Sequence, residues 1–443
     1  MSYAAALDGL FSLAAELHTA PGQPKRKFDL NEMRVLTAAL GSPEKKFPSV
    51  LVAGTNGKGS TSATLASILT SAGYRTGLYT SPHLSRVNER VRIGREEISD
   101  DDFAALYFRV DDCARRLVSE GGLHEHSSFF ETMTALAFLA FAERQVDIAV
   151  LEVGMGGRLD ATNIVDPLVS VITDISLDHM EWLGPTIAAI TREKAGILRQ
   201  NGILVTLPQH PEANQAIGEV ATELNVRGVN AAAYMPGRDE AEKGSGYSLP
   251  VLGKTIEVRS PLAGAHQQRN TGLAIAAAVE LRNHNGYKLS PEAIEEGIRL
   301  TRWPGRMERL STPGCADVLL DVAHNPAGAW ALRSTLSHLD PEPRAMTAIF
   351  GCLADKPVGD IAQILFPLFD SVVLTEVDSP RRAPLSAMIA AAEPTGVKIR
   401  SADDAWAALR QAWAETPQDG LVVVTGSVYL VGAVRSLLTE TGR

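Results

Sequence analysis

The sequence predicts an α/β protein in which a parallel sheet is covered by helices on both faces. Apolar, β-rich runs alternate with Ala-rich helical stretches along the chain, and the runs are continuously apolar instead of alternating between apolar and polar residues. Continuously apolar strands are typical of parallel sheets that are buried on both faces. The chain has 443 residues. Because domains usually have roughly 100–200 residues, we expect two or three domains.

In the N-terminal part, each predicted strand leads into a loop and then into a helix. The predicted strands are Ser49–Ala53, Thr76–Thr80, Asp147–Val153, Leu168–Thr173 and Ile203–Leu207. A helix is predicted near Gly59–Ala72, and another ends near Gly196. Residues from about Val226 to Ser260 are polar and contain Gly, which predicts hairpins at an edge of the sheet. A helix follows from about Gln267 to His284.

A Pro and a Gly interrupt the helical pattern within Trp303–Arg306, which predicts a domain boundary and domains of 1–303 and 304–443. After this boundary the alternation of strands and helices starts again. It predicts a second, smaller α/β domain. The predicted strands of that domain are Val318–Val322, Thr347–Phe350, Ser371–Thr375, Val397–Arg400 and Leu421–Val424.

The composition argues against several classes of protein. Lys and Arg total 42 and Asp and Glu total 52, and the resulting net charge of −10 does not suit a broad nucleic-acid surface. Three cysteines, Cys113, Cys315 and Cys352, are too few and too scattered for a disulfide framework or a zinc site. The longest apolar run, near Met133–Ala142, is about half of the ~20 residues that a membrane span needs. No secretory signal is visible, so we expect a cytoplasmic protein without nucleic-acid or membrane partners.

A glycine-rich loop lies directly between the first predicted strand and its helix. Its residues are Gly54, Thr55, Asn56, Gly57, Lys58, Gly59 and Ser60. Glycines let a backbone approach a phosphate, the helix N-terminus supplies N–H donors, and Lys58 supplies a positive charge. The loop therefore predicts a nucleotide-phosphate site, with Ser60 facing a magnesium ion. The alternative is a glycine-rich turn with a solvated lysine, because the strict Walker A spacing requires Gly at Val52 and Ser or Thr at Gly59.

A second glycine cluster, Gly154–Gly157, also follows a predicted strand. A dinucleotide-binding G-x-G-x-x-G pattern requires glycine at Leu159, so this cluster does not predict a Rossmann cofactor site. Glu152 closes the strand just before the cluster. A carboxylate there lies at the strand end where ligands bind in open α/β sheets.

Eight motifs along the chain closely resemble those of folylpolyglutamate synthase and dihydrofolate synthase, which belong to the Mur-ligase superfamily. In chain order they are PEKKFPSVLVAGTNGKGSTSA, TSPHLSRVNERVRI, SSFFETMTALAF, LEVGMGGRLDATN, SLDHMEWLG, REKAGI, PGRMER and DVAHNPAGA. The resemblance implies an N-terminal P-loop domain, with a parallel sheet flanked by helices, and a smaller Rossmann-like α/β domain at the C-terminus. It implies that domain 1–303 binds ATP and the pterin, and that 304–443 is the glutamate-ligase domain.

The reaction that the resemblance implies is an ATP-dependent amide ligation. ATP phosphorylates the carboxylate of dihydropteroate or of a reduced folate, and the amine of L-glutamate attacks the acyl phosphate, releasing ADP and phosphate. We expect both activities in one protein, which acts as a monomer. Two alternatives stay open: a Mur-type amino-acid ligase for peptidoglycan precursors, and a nucleotide-binding protein without turnover.

The resemblance assigns catalytic roles to Glu152, His179 and Lys194. It implies that Glu152 and Ser81 are magnesium ligands and that His179 is the ligand of a second magnesium ion. Chemistry alone allows Glu152 as a helix cap or loop ion pair and Ser81 as a turn cap. It allows His179 as a general base or a structural histidine, because magnesium prefers oxygen donors. Lys194 resembles a lysine that the family often carries in carbamylated form; the alternative is a solvated lysine at a helix C-terminus. A monovalent cation is a further cofactor that the resemblance allows.

The remaining site predictions concern ATP, glutamate and the pterin. By resemblance, Asn270, Arg306 and Asp321 join the glycine loop in contacting ATP, although Asp321 could also be a turn residue. His324 and Ser427 resemble residues that line the incoming glutamate. The pterin side is predicted to include Asp29, Ser128, Phe129, Phe130, Glu131, Leu159, Asp160 and Ala161. The two phenylalanines could equally be core, because they lie at helical spacing with other apolar residues.

Overall fold

The computed structural model describes residues 2–14, 29–237, 246–339 and 345–440. The chain folds as two compact units. The first comprises Met1–Pro82, Asn88–Ser260 and Arg269–Thr301, and the second comprises His83–Val87, Pro261–Gln268 and Arg302–Arg443. Two short segments of the predicted domain 1–303 thus belong to the second unit. The functional division at 303/304 stays a prediction.

The first unit is built around one large sheet whose central strands are parallel. Its strands are β1 (Ser49–Ala53), β2 (Thr76–Tyr79), β3 (Val91–Ile93), β4 (Glu96–Glu97), β5 (Ile148–Glu152), β6 (Val169–Ile172), β7 (Ile203–Thr206) and β8 (Arg227–Asn230). Their order across the sheet is β4-β3-β2-β5-β1-β6-β7-β8. β3 and β4 run antiparallel to their neighbours. The predicted parallel sheet is confirmed at its centre, and the antiparallel edge was not predicted.

The five strands predicted for this unit all form, as β1, β2, β5, β6 and β7. β1 and β5 are buried along their whole length. Strands in this position have both faces covered, so every side chain meets apolar surroundings. This is why their sequences are continuously apolar up to Glu152, where β5 ends.

The region 226–260 differs from the predicted edge hairpins. β8 extends the large sheet in parallel with β7, and its residues are mostly exposed. Farther along the chain, β9 (Tyr247–Val251) and β10 (Lys254–Val258) form a separate antiparallel hairpin. Alternate residues of β9 are buried. The polar alternation therefore comes from a two-stranded hairpin with one covered face, and not from the edge of the large sheet.

Helix α3 is buried almost throughout, which explains why its sequence is rich in small residues. In the described ranges before Arg302, the helices are α1 (Tyr3–Ala14), α2 (Leu30–Ala39), α3 (Lys58–Ser71), α4 (Asp100–Ser119), α5 (Phe129–Glu143), α6 (Met180–Leu183), α7 (Ile187–Ala195), α8 (Pro211–Glu223), α9 (Ala265–Asn285) and α10 (Pro291–Arg299). A Cβ on Gly297 would lie 2.3 Å from Cα of Ile68, and Ser67 Oγ donates to the Gly297 carbonyl at 2.6 Å. Glycine thus lets α3 and α10 pack in backbone contact.

The second unit contains a smaller sheet with helices on both faces. Its strands are β11 (Glu308–Leu310), β12 (Asp317–Leu320), β13 (Met346–Phe350), β14 (Ser371–Thr375), β15 (Lys398–Ala402) and β16 (Leu421–Thr425). Their order is β11-β12-β16-β13-β14-β15, and all pairs are parallel except β11 with β12. The five strands predicted for this unit are confirmed. Its helices are α11 (Pro326–Leu339), α12 (Val358–Leu365), α13 (Leu385–Ala392), α14 (Ala405–Glu415) and α15 (Val428–Glu440).

Two apolar clusters cover the two faces of this smaller sheet. One cluster draws its helical residues from α11, α12 and α13. The other draws them from α14 and α15. The predicted second α/β domain therefore has the doubly wound arrangement that its alternating sequence indicates. Within the described ranges, none of the helices has both the length and the apolar character needed to span a bilayer.

Candidate active site

The glycine-rich loop joins β1 to α3, and two of its glycines have left-handed backbone conformations. Gly54 has φ +151° and Gly57 has φ +88°. A Cβ on Gly54 would lie 1.8 Å from Thr173 Oγ1, and one on Gly57 would lie 2.1 Å from Asn270 Oδ1. Both glycines are therefore required by neighbouring side chains of the protein itself. The structure also brings Asn270, predicted as an ATP contact, directly against the loop.

The loop is held from one side by the segment 173–176, which follows β6. The Asp174 carbonyl accepts hydrogen bonds from the backbone N–H groups of Thr55, at 2.9 Å, and Asn56, at 3.1 Å. Thr173 Oγ1 donates to the Asn56 carbonyl at 2.7 Å. The Thr55 hydroxyl donates to the Ser176 carbonyl and accepts from the Ser176 N–H, both at 3.1 Å. The motif SLDHMEWLG begins at Ser176, but no role at the loop was predicted for Thr173 or Asp174. Polar residues directly after a predicted strand were a usable signal.

Two lysine ammonium groups converge on one carbonyl of the loop. Lys58 Nζ lies 3.1 Å from the Gly54 carbonyl oxygen, and Lys194 Nζ lies 2.7 Å from the same oxygen. Lys194 is only 4% exposed. Burial, and secondly the Lys58 charge, lower the pKa of Lys194 to about 7, while Asp178 and Asp160 oppose the shift. Lys194 lies in the last turn of α7, near the helix C-terminus as predicted, but its burial excludes the solvated lysine of the alternative interpretation.

Glu152 is the buried last residue of β5, and it lies beside the strand that leads into the loop. In the sheet, Glu152 pairs with Val52 of β1. Its Oε2 accepts a hydrogen bond from the Ser81 N–H at 3.1 Å. Ser81 follows β2, the other neighbour of β5. The ends of three adjacent strands therefore bring the loop, Glu152 and Ser81 to one edge of the sheet.

This donor set fits a magnesium ion held jointly by the protein and a nucleotide. In the part of the chain that the structure describes, no group of three or more His, Cys, Asp or Glu residues is placed to hold a metal. Magnesium in nucleotide sites is usually bound by one or two carboxylates, with phosphate oxygens and water completing the shell. A single buried carboxylate at the edge that carries the loop, Glu152, meets that requirement.

His179 lies in an exposed turn. It has φ +51° and precedes the short helix α6, and its side chain is 39% exposed. Its Nε2 lies 4.0 Å from Oδ1 of Asp178. A left-handed conformation is uncommon for a residue with a side chain, and it is often found at functional positions. The metal role of His179 stays a prediction.

Asp160 organises the second glycine cluster. Its Oδ2 accepts hydrogen bonds from the N–H groups of Gly154 and Met155, both at 3.0 Å. Burial raises the pKa of Asp160, and these hydrogen bonds and those from Thr162 oppose the rise. A Cβ on Gly154 would lie 2.5 Å from Cζ of Phe130, so this glycine lets the aromatic ring lie on the loop. Asp160 and Phe130 thus both lie against Gly154, and their contact with a pterin stays a prediction.

The start of α5 is a capping box that the sequence analysis did not identify. The Ser128 N–H donates to Glu131 Oε2 at 2.8 Å, and the Glu131 N–H donates to Ser128 Oγ at 3.3 Å. The Phe129 ring stacks on Phe11, with centroids 6.1 Å apart, and the Arg90 guanidinium lies 5.0 Å from the Phe129 centroid. Ser-x-x-Glu before an apolar run was the available signal. Ser128 and Glu131 therefore have a structural role whatever they contact in addition.

The other pterin-side residues are spread over two elements that meet. Asp29 caps α2, and its side chain accepts from the Asn31 N–H. Helix α2 packs against the 3₁₀ helix Ala161–Ile164. Ala161 is buried, whereas Leu159 is exposed. The structure therefore brings the element that carries Asp29 to the segment that carries Asp160 and Ala161.

Three predicted residues of the second unit follow two neighbouring strands, namely Asp321, His324 and Ser427, whereas Arg306 precedes β11. Asp321 follows β12, where its Oδ2 accepts from the Met307 N–H at 3.1 Å and its Oδ1 from the Ala323 N–H at 3.0 Å. Met307 is the residue after Arg306, so Asp321 holds the turn that carries this arginine. These contacts agree with the turn interpretation of Asp321. An ATP contact of Asp321 stays a prediction.

The two predicted glutamate contacts lie at the same edge of this smaller sheet. His324 Nδ1 is 2.9 Å from the Val322 carbonyl oxygen, just after β12. Ser427 follows β16, is buried, and its Oγ accepts from the Tyr429 N–H at 3.1 Å at the start of α15. β12 and β16 are adjacent and parallel. The carboxyl ends of neighbouring parallel strands therefore bring His324 and Ser427 to one edge.

Replacing Gly57 by Ala is expected to weaken ADP binding at least about tenfold. The new Cβ would meet Asn270 Oδ1 at 2.1 Å, so the loop or α9 must shift. Gly73 is a matched control: its φ is +91°, and a Cβ there would have no neighbour within 4 Å. Gly73→Ala therefore measures the left-handed backbone cost alone, roughly 1–2 kcal/mol. Calorimetric titration with ADP and thermal melts separate the two effects. Equal ADP affinity in both variants would contradict the prediction.

Two family models and several known proteins match this chain, and they all indicate the same family. The Mur ligase middle domain matches residues 52–278, and the Mur ligase glutamate ligase domain matches residues 305–428. The dihydrofolate synthase/folylpolyglutamate synthase of Bacillus subtilis is 34% identical over 425 residues, which are 92% of this chain and 94% of the relative.

Solved structures agree over almost the full length. Folylpolyglutamate synthase of Mycobacterium tuberculosis, complexed with ADP, superposes with a TM-score of 0.86 at 32% identity, covering 98% of each chain. Escherichia coli FolC in complex with DHPP and ADP superposes with a TM-score of 0.84 at 31% identity, also covering 98% of each chain. The loop, the two domain matches and these relatives lead to one conclusion: the chain belongs to the dihydrofolate synthase/folylpolyglutamate synthase family of ATP-dependent Mur-type ligases.

Proposed function

We propose that the protein joins L-glutamate to the carboxylate of dihydropteroate and of reduced folates, with ATP as the energy source. The observation that carries this proposal is the convergence of Lys58 and Lys194 on the Gly54 carbonyl, at the sheet edge that also carries Glu152. Such an arrangement is suited to binding a nucleoside triphosphate together with its metal ion. The names of the relatives support the choice of acceptors.

The chemistry requires activation because a free carboxylate is a poor electrophile. A carboxylate oxygen of the acceptor attacks the γ-phosphorus, and ADP leaves. The glutamate nitrogen then attacks the acyl carbon, phosphate leaves with the electron pair of the broken C–O bond, and the nitrogen loses a proton. Lys58, at the N-terminus of α3, supplies positive charge for the phosphates.

Magnesium would be held by Glu152, with Ser81 and His179 as the further predicted ligands. When bound, the ion would neutralise phosphate charge. The hydrogen bond from the Ser81 N–H fixes the Glu152 carboxylate. A positioned carboxylate orients a ligand without a reorganisation cost at the time of reaction.

We propose that Lys194 is carbamylated in the active protein. Only the neutral amine can attack carbon dioxide; the nitrogen–carbon bond forms, a proton is released, and an anionic carbamate replaces the cation. A pKa of about 7 leaves a large neutral fraction at neutral pH. Burial, which lowers this pKa, therefore supplies the neutral amine that the modification requires.

The remaining parts of the proposal follow the sequence predictions. Arg306, Asp321, His324 and Ser427 are proposed to serve ATP and glutamate, and the elements around Phe130 and Asp160 the pterin. We also propose a monomer that works in the cytoplasm, with a monovalent cation as an additional cofactor.

The deciding experiment compares dihydropteroate and tetrahydrofolate side by side, each with Mg-ATP and L-glutamate. We expect ADP release that depends on the acceptor, together with a product that mass spectrometry shows to carry an added glutamate. Glutamate transfer to a UDP-linked acceptor but to neither pterin would favour a peptidoglycan-precursor ligase. ADP binding without turnover on any acceptor would favour a non-catalytic nucleotide-binding protein.

A further inference from the structure

An ion pair in the first unit joins α9 to the segment after β6. Arg269 Nε donates to Asp174 Oδ2 at 2.9 Å, and Nη2 donates to Oδ1 at 2.5 Å. Nη2 also donates to the Pro208 carbonyl at 3.1 Å, just after β7. Two parallel N–H···O bonds fix the orientation of both side chains more strictly than a single contact does. The pair is therefore a geometric connection among three elements.

The backbone of Asp174 contacts the glycine-rich loop. Its carbonyl accepts the N–H groups of Thr55 and Asn56 at 2.9 and 3.1 Å, and Asn56 and Asp174 form an isolated antiparallel bridge. A shift of Asp174 would move these two hydrogen bonds together. Asp174 thus contacts Arg269 through its carboxylate and holds the backbone of the loop through its carbonyl.

Arg269 reaches the same loop by a second route. The next residue, Asn270, packs against Gly57 so closely that a Cβ on this glycine would lie 2.1 Å from Asn270 Oδ1. Gly57 begins α3 as its N-cap residue. Arg269 is therefore connected to the loop at two places. Its ion-pair partner Asp174 bonds to Thr55 and Asn56, and its chain neighbour Asn270 contacts Gly57.

We propose that Arg269 and Asp174 form a positioning pair that holds the loop 54–60 in the conformation that binds the phosphates of a nucleoside triphosphate. The proposal rests on the proposed function only in that the loop binds nucleotide. The side chains are 26% and 35% exposed, and ion pairs with such exposure usually add at most about 1 kcal/mol to stability. The expected effect therefore lies in nucleotide affinity.

The test measures ADP binding by calorimetry in Arg269→Met, Asp174→Asn and the double variant. We expect each single variant to bind ADP about tenfold more weakly than the unaltered protein. The Kd of the double variant for ADP should be at most about twice that of a single variant, because both changes break the same ion pair. Arg269→Lys should not restore affinity, since an ammonium group cannot make the bidentate contact. In turnover, KM for ATP should rise while kcat stays within about threefold of the original value.

A matched control is Arg144→Met, which removes another arginine–aspartate contact of the first unit. Arg144, the C-cap residue of α5, donates from Nη2 to Asp102 Oδ2 of α4 at 2.6 Å. This variant should bind ADP as the unaltered protein does. Loss of ADP affinity in the control equal to that in Arg269→Met would contradict a specific role.

Two further results would overturn the proposal. Unchanged ADP affinity in Asp174→Asn, with or without a lower melting temperature, would show that the pair only stabilises the fold. Fully additive losses in the double variant would show that the residues act separately. If Arg269→Met fails to fold, Asp174→Asn decides alone, because it keeps the backbone carbonyl and the side-chain shape. A protein that binds ADP but transfers no glutamate would contradict the proposed function and leave this inference in place.

Discussion

Glu152→Gln is expected to lower kcat for glutamate ligation at least about 100-fold, equivalent to ~2.7 kcal/mol of transition-state stabilisation. The change removes one negative charge from the buried end of β5, where we propose that magnesium is bound. Glutamine retains an oxygen that can accept the Ser81 N–H. The fold should therefore survive, with a melting temperature within about 3 °C of the original. Steady-state kinetics and calorimetry measure both quantities.

A second readout separates a metal role from a general loss of activity. In the unaltered protein, magnesium should strengthen ADP binding, and this gain should shrink in Glu152→Gln. Glu280→Gln is the matched control, because Glu280 is also buried but contacts Arg227 and His284 instead. An unchanged kcat and an unchanged magnesium gain in Glu152→Gln would remove Glu152 from the site.

Lys194→Met is expected to abolish ligation and yet, in carbon dioxide-depleted buffer where the lysine is unmodified, to stabilise the protein at pH 7 by about 2 kcal/mol. Burial holds the pKa of Lys194 near 7, well below its ordinary value of 10.5. In the unfolded chain the Lys194 amine stays protonated up to that ordinary value. Burial in the folded protein disfavours the protonated amine, so this group lowers the free energy of unfolding. The cost is fully present below about pH 7 and vanishes as pH rises through the unfolded pKa. Methionine has a similar volume and carries no charge.

The pH dependence gives the sharpest measurement. In carbon dioxide-depleted buffer, the free energy of unfolding of the unaltered protein should rise relative to Lys194→Met between pH 7 and pH 10. A constant difference over that range would contradict the lowered pKa. For Lys194→Ala, short carboxylic acids should restore part of the activity if an anion at this position is what the reaction needs. Full activity in Lys194→Ala would rule out the catalytic role.

Local patterns predicted the elements, whereas contacts between distant segments stayed hidden. β1 and β5 could be predicted because both faces are buried and their sequences show it directly. The contacts that hold the glycine loop could not be predicted, since Thr173 lies 117 residues from its Asn56 contact and Arg269 lies 95 residues from Asp174. No sequence period relates such pairs. Their proximity follows from the order of β1, β6 and α9 in the folded unit.

Other differences arise because one residue type serves two purposes. Asp160, Ser128 and Glu131 carry polar groups that suit a ligand site, yet in the structure they hold backbone N–H groups of neighbouring turns. The same holds for Asp321. A capped turn and a binding loop use the same short polar side chains. Sequence patterns therefore locate these regions better than they assign their individual roles.

The two edges of the large sheet have a consequence for aggregation. β4 consists of only two residues, Glu96 and Glu97, and both are exposed. β8, at the opposite edge, is four residues long and includes the charged Arg227. A strand from another chain that added to β4 would gain few hydrogen bonds and would meet two carboxylates. The short acidic strand β4, which the apolar pattern did not predict, therefore disfavours the addition of a further strand at this edge of the sheet.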